Sequence, residues 1–171
     1  TLSPSSAASD VYKRQAKVET KRGVTYEPLF TEITSLKSGD QNLKVAYPGG
    51  LVGVGTKLDP SLTKGDNLIG NVVGKPGTLP PVWNEFDLDV KLLERVVGLE
   101  VLKKVEPIVK GEALMINVGT AVTVGVVTNV SKEHVHVKLK IPVCAEEGAR
   151  VAISRQIRGR WRLIGYGFIK G

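Results

Sequence analysis

Cysteine and methionine each occur once in the 171 residues, as Cys144 and Met115, and histidine occurs only at positions 134 and 136. A single cysteine excludes an internal disulfide, and the clustered cysteine spacing of a zinc site is missing. Cys144 is therefore read as a small apolar filler, in a chain expected to work in a reducing cytoplasm. Neither a secretory signal nor an apolar run long enough to cross a membrane is visible, so no membrane role is expected. A phosphate-binding P-loop is lacking too. That loop needs Gly-Lys-Ser or Gly-Lys-Thr after its spacer, whereas Gly55 is followed by Thr56 and then Lys57. No nucleotide site, no catalytic residue and no metal site is assigned. Finally, acidic residues are absent from Arg150 to the end, in a chain of net charge +7, which favours a polyanionic partner.

What the sequence has in quantity is glycine, valine and turn formers. They are concentrated first in Tyr47 to Gly77, YPGGLVGVGTKLDPSLTKGDNLIGNVVGKPG. Leu51, Val52 and Val54 alternate loosely with Gly50, Gly53 and Gly55. Glycine within a strand marks either a bulge or a surface that a ligand or another backbone approaches closely. Asp59 followed by Pro60 predicts an N-cap and a short helical turn to Lys64, stopped by Gly65. Leu68 to Val73 reads as a second buried strand. Gly74, Pro76, Gly77, Pro80 and Pro81 then break both helix and sheet, which predicts a boundary between two domains, residues 16–78 and 79–171.

Before this stretch, Thr1 to Gln15 are rich in Ser and Ala and lack apolar periodicity. They are expected to be disordered, and they resemble translated adapter read-through, a natural flexible linker being the alternative. Val24 to Leu36 is rich in β-branched and aromatic residues and reads as a strand, with Ser38, Gly39 and Asp40 as a hairpin turn. Beyond the boundary, Val82 to Val90, Ala113 to Val118, Ala121 to Val130, His134 to Ile141, Arg150 to Ile157 and Trp161 to Ile169 are strand candidates. Gly119, Ser131, Gly148 and Gly159 punctuate them. Leu92 to Gly98 is spaced for a helical turn or a loop. Short strands with turns between them predict an all-β fold: a partial β-barrel followed by a complete antiparallel barrel of Greek-key type.

Two surface clusters need weighing. His134 and His136 share a strand face with Lys138 and Lys140, whose charge opposes a bound cation, so a solvated polar face is the reading rather than a metal site. Arg155, Arg158, Arg160 and Arg162 head the basic end of the chain. The last three alternate through Gly159 and Trp161 and would share one face of a strand. RNA contact, interdomain contact and a plain solvated face all remain open for them.

The segment PGGLVGVGTKLDPSLTKGDNLIG resembles the signature of the gamma subunit of archaeal and eukaryotic translation initiation factor two, and more distantly elongation factor Tu, whose second barrel ends in a KPGT exit like Lys75 to Thr78 here. LLERVVG, ALMINVGTAVTVGVVT and VAISRQIRGRWRLIGYGFI resemble the third domain of the same subunit, so the likeness runs from about Lys17 to Gly171. It implies a non-catalytic part of a protein that carries initiator methionyl-tRNA to the small ribosomal subunit. The same likeness puts GTP and magnesium in a GTPase domain outside this chain, a domain that is itself a partner. It also implies that Gly50, Leu51, Gly53, Val54, Gly55 and Thr56 help line the pocket for the esterified end of the tRNA. Elongation factor Tu has a polar amide where Leu51 stands, so an apolar wall suited to methionine is implied, with structural packing of Leu51 the alternative. The alpha subunit is implied to dock on the turn Ser38, Gly39, Asp40, Gln41 and Asn42. A selenocysteine-specific elongation factor and a freestanding RNA-binding β-barrel protein are the rival readings.

Overall fold

In the computed structural model, residues 9–20, 23–47, 49–66, 68–75, 77–97, 104–131 and 134–171 are described, with side chains from residue 29 onward except that of Asp66. The chain divides into two compact units, Thr1–Leu79 and Pro80–Gly171.

In the first unit, β1 (Ser9–Thr20) and β2 (Gly23–Ser38) form a long antiparallel pair, from Ser9 opposite Glu32 to Thr20 opposite Gly23. The disorder expected of Thr1 to Gln15 is thus corrected for Ser9 to Gln15, which lie in β1. Ser9 to Tyr12 pair with β2 and Val11 to Lys13 with a strand on the other side, and such pairing does not depend on apolar periodicity. Residues 1–8 of that leader fall outside the described residues. Two short strands, β3 (Gln41–Asn42) and β4 (Gly53–Thr56), both pair with β2, while β5 (Val72–Gly74) pairs with β1. Ile33, Leu36 and Ala46 are buried, with Leu43, Val52 and Val54 packed against them.

The helical turn α1 (Pro60–Thr63) begins as its sequence predicts. Asp59 caps it by accepting from the Ser61 amide at 2.8 Å, Pro60 occupies the first turn, and Gly65 takes φ 65° where the chain leaves. The Asp59 carboxyl is held below the usual carboxylate value, chiefly by the bond from that backbone N–H and further by the Ser61 side chain. The buried strand expected over Leu68 to Val73 is shorter than predicted. Leu68–Gly70 form a turn, Ile69 is exposed, and only Val72 and Val73 with Gly74 join the sheet. Gly70 at φ 78° bends the chain there.

The second unit is a closed antiparallel barrel. Its strands are β6 (Val82–Leu92), β7 (Ala113–Val118), β8 (Ala121–Val130), β9 (Val135–Cys144), β10 (Arg150–Ile157) and β11 (Arg160–Lys170). Around the barrel the order is β10-β11-β6-β9-β8-β7. Strands β7, β8 and β9 follow one another as hairpins while β6, reached by the long 93–112 connection, lies beside β9; that is a Greek key. Alternation decides which side chains face inward. In β9, Val135, Val137 and Leu139 are buried while His136, Lys138 and Lys140 lie between them toward the outside. Pro142 sits where the β6–β9 register jumps, between the pairs Trp83–Val143 and Glu85–Lys138, a place in a sheet that tolerates a missing N–H.

The apolar spacing of Leu92 to Gly98 makes no helix among its described residues. Leu92 ends β6 and the chain loops onward, placing Val96 in the barrel core together with Val105 and Ile108 from farther along the same connection. This connection acts as a strap across the barrel. Its spacing is that of a loop plugging a core, which a short segment cannot distinguish from a helix.

Candidate functional site

The glycine-rich segment and the hairpin turn of β2 and β3, assigned separately from the sequence, are neighbours. Gly53 pairs with Lys37, Val54 with Leu36 and Gly55 with Ser35, so β4 begins beside the end of β2 that leads into the turn Ser38 to Asn42. The Ser38 hydroxyl donates to the carbonyl of Leu51 at 3.2 Å and ties the two together. Gly39 at φ 57° takes the first central position of this tight turn, where glycine suits a hairpin connection. Gly39, Asp40, Gln41 and Asn42 are all exposed.

Within the segment the residues differ in kind. Gly49 and Gly50 have φ of 119° and 73° in a bend before the strand, so Gly50 and Leu51 precede β4 instead of belonging to it. Leu51 is 88% exposed and is not among the residues packed on the small core of this unit. A side chain on Gly55 would run into the hydroxyl of Ser35 and stand 3.0 Å from that of Thr34, whereas one on Gly53 would meet nothing closer than the Lys37 carbonyl at 3.7 Å. Gly55 is therefore small for packing between strands, whereas Gly53 is exposed and would accept a Cβ in ordinary contact with Lys37. Thr56 is half-buried, and its hydroxyl accepts from the Leu58 amide at 3.4 Å.

At the basic end, the expectation that Arg158, Arg160 and Arg162 share a strand face is corrected. Arg158 and Gly159, at φ 51° and 75°, form the two-residue turn between β10 and β11, so only Arg160 and Arg162 lie on a strand. Both central residues with positive φ give the hairpin geometry that matches strand twist, for which Asn-Gly is the favoured pair. Arg155 is no free cation. Its guanidinium grips both carboxylate oxygens of Glu112 and donates to the carbonyls of Glu106 at 3.0 Å and Pro107 at 3.1 Å. The side chains of Arg155 and Glu112 are 16% and 14% exposed. The sequence shows no acid near Arg155, because Glu112 reaches it only through the β7–β10 pairing.

Of the histidines, His136 is hydrogen-bonded through Nδ1 to Asp87 at 2.8 Å, with Glu85 at 3.9 Å from Nε2, so it clamps β9 to β6. Among the described residues no group of three or more His, Cys, Asp or Glu is arranged to hold a metal. The Cys144 thiol donates to the Pro80 carbonyl at 3.2 Å. Sequence reasoning missed a cleft of about 450 Å³ beside β10 and β11, where Arg150 lies over the Tyr166 ring at 4.4 Å from its centre. The signal was Arg150 and Tyr166 flanking strands of one hairpin.

A family model described as "Initiation factor eIF2 gamma, C terminal" matches residues 84–169. The chain belongs to the translation initiation factor 2 gamma subunits. It is 67% identical over 147 residues to the translation initiation factor 2 subunit gamma of Pyrococcus horikoshii, covering 86% of this chain and 36% of that protein. For the same subunit of Thermococcus kodakarensis the identity is 66% over the same shares, and for that of Methanocaldococcus jannaschii it is 50% over 169 residues, covering 94% of this chain and 41% of the relative. The chain thus spans little more than a third of these gamma subunits. The gamma-subunit likeness extends through both units, and neither rival reading is favoured. No described helix is long and apolar enough to cross a membrane.

Proposed function

We propose that this chain supplies the tRNA- and subunit-binding barrels of a cytoplasmic initiation factor that carries initiator methionyl-tRNA to the small ribosomal subunit. In this reading GTP and magnesium are held by a GTPase domain outside the 171 residues, and no residue of this chain takes part in hydrolysis. The observation that carries the reading is the exposed backbone of Gly53, close in sequence to exposed Leu51, in a segment that matches the gamma subunits over its whole length. A strand without side-chain bulk lets an aminoacyl end approach the backbone, and an exposed leucine offers an apolar contact to methionine. The turn Ser38 to Asn42 is the docking place for the alpha subunit. Because Ser38 joins this turn to Leu51, both partners would sense the same short stretch of sheet.

The test uses a full-length gamma subunit containing this sequence. Methionyl-tRNA is expected to bind more tightly than the same tRNA deacylated, and Asp40→Lys is expected to weaken alpha-subunit binding while leaving that preference intact. Equal affinity for charged and uncharged tRNA would contradict the reading.

A further inference from the structure

The outer surface of the barrel changes character from strand to strand. On β6 the outward positions include Glu85, Asp87 and Asp89, and on β9 they are His136, Lys138 and Lys140, as expected of strand faces that meet water. On β8 the inward set is Ala121, Thr123, Gly125 and Val127, and every outward position between them is valine: Val122, Val124 and Val126. Val122 and Val126 are 49% and 46% exposed. The neighbouring β7 continues this face, with Met115 opposite Val124 and Ala113 opposite Val126. Threonine has the same β-branched fit to a strand and would hydrogen-bond to water, so strand formation gives no reason for valine at all three positions. Single exposed apolar residues are ordinary, but a contiguous row with apolar neighbours on the next strand is the pattern of an interaction surface.

The charges bordering the row have one sign. Strands β7, β8 and β9 contain no acidic residue, and their lysines, Lys138 and Lys140, are exposed and in no salt bridge among the described residues. Lys138 stands beside Val126, and Lys140 stands beside Val124, between the Gly125–Leu139 pair and the bonds that join Thr123 to Ile141. Glu85 of β6 faces Lys138 from its other side, whereas no described β6 residue is paired with Lys140. A complementary partner therefore offers apolar contact along β8 and negative charge along β9. Spacing supplies its form. Alternate strand residues repeat at roughly 7 Å, and the i, i+4 positions of a helix at about 6 Å, so a helix laid along β8 can set its apolar side chains among the three valines. We propose that the outer face of β7 and β8 is a docking surface for an acidic amphipathic helix of another protein, with Lys138 and Lys140 receiving its carboxylates. Aliphatic side chains neither stack on bases nor hydrogen-bond to phosphate, which favours a protein over a nucleic acid here.

The experiment follows the fluorescence anisotropy of a fluorescein-labelled helical peptide, with leucine along one face at i, i+4 spacing and glutamate on its flanks, as the 171-residue chain is added. Saturable binding that weakens with salt is expected, and the same peptide with lysine in place of glutamate should not bind. The double variant Val122→Thr, Val126→Thr should bind roughly tenfold more weakly, the loss expected for two apolar methyl groups. Its melting temperature should hold, because both positions face water and threonine suits a strand. Lys140→Glu is expected to weaken binding about three- to tenfold and to flatten its salt dependence. Val97→Thr is the control, since Val97 is 52% exposed but bonded beside β11, and it should bind like the parent chain. Absence of peptide binding, equal binding of the lysine peptide, or parental affinity in the folded double variant would overturn the proposal. So would dimerisation of the chain in sedimentation equilibrium that the double variant abolishes, since the occupant is then a second copy. Binding of single-stranded RNA that the same variant weakens would likewise replace the peptide assignment. No tRNA enters this measurement, so it and the tRNA test fail separately.

Discussion

At the scale of single residues, glycines that look alike in sequence have different tasks. Gly55→Val would force its branched side chain onto the Ser35 and Thr34 hydroxyls and is expected to lower the stability of the first unit by roughly 1–3 kcal/mol, the usual cost of overpacking. Gly53→Val, whose Cβ would make only ordinary contact with Lys37, should leave the melting temperature nearly unchanged. Comparing the two by thermal denaturation checks this. Spacing alone cannot separate these glycines, because the difference lies in what β2 places opposite each. The same holds for Arg155, whose partner Glu112 is 43 residues away in sequence. Replacing Glu112 with alanine leaves a mostly buried guanidinium without its carboxylate and loosens the strap. A loss of about 2–3 kcal/mol is expected in denaturant unfolding of the chain, a value reduced from that of fully buried pairs because both side chains keep some exposure. An unchanged midpoint would show that the strap is held by its apolar contacts instead.

At the scale of elements, the strands were legible wherever valine and isoleucine alternate with polar residues between turn glycines. Ala113–Val118, Ala121–Val130 and Arg150–Ile157 have the predicted limits. The turn at Asp59 was legible because its cap, proline and stop glycine are all local signals. Its pH behaviour follows from the lowered carboxyl: the capped state contributes stability above the ordinary carboxylate value, and that contribution is lost as pH falls through the still lower folded value. Following the Asp59 carboxyl by NMR should give a midpoint below 3.8, and Ser61→Pro, which deletes the donating N–H, should raise it. What was not legible were elements whose form depends on distant partners. The strap around Val96 and Val105 and the pairing of Ser9–Tyr12 with β2 are of this kind, as is the shortness of β4.

At the scale of the whole molecule, the two units differ in how much apolar surface their described side chains hide. The barrel closes on itself and buries side chains from all six strands and the strap, including Leu88, Leu114, Ile153 and Ile164. The first unit buries Ile33, Leu36 and Ala46 and leaves Phe30, Tyr47 and Leu51 exposed. Since protection follows buried contacts, amide hydrogen exchange should be slowest in the barrel strands and faster by at least about tenfold in β4 and β5. Equal protection in both units would contradict this. The central claim, that β4 and its approach from Leu51 receive the aminoacylated end of initiator tRNA, is tested most directly by one measurement. It is the ratio of affinities for methionyl-tRNA and deacylated tRNA in a full-length gamma subunit bearing Gly53→Val. The account predicts that this ratio falls toward one while the melting temperature holds, and an unchanged ratio in the stably folded variant would contradict it.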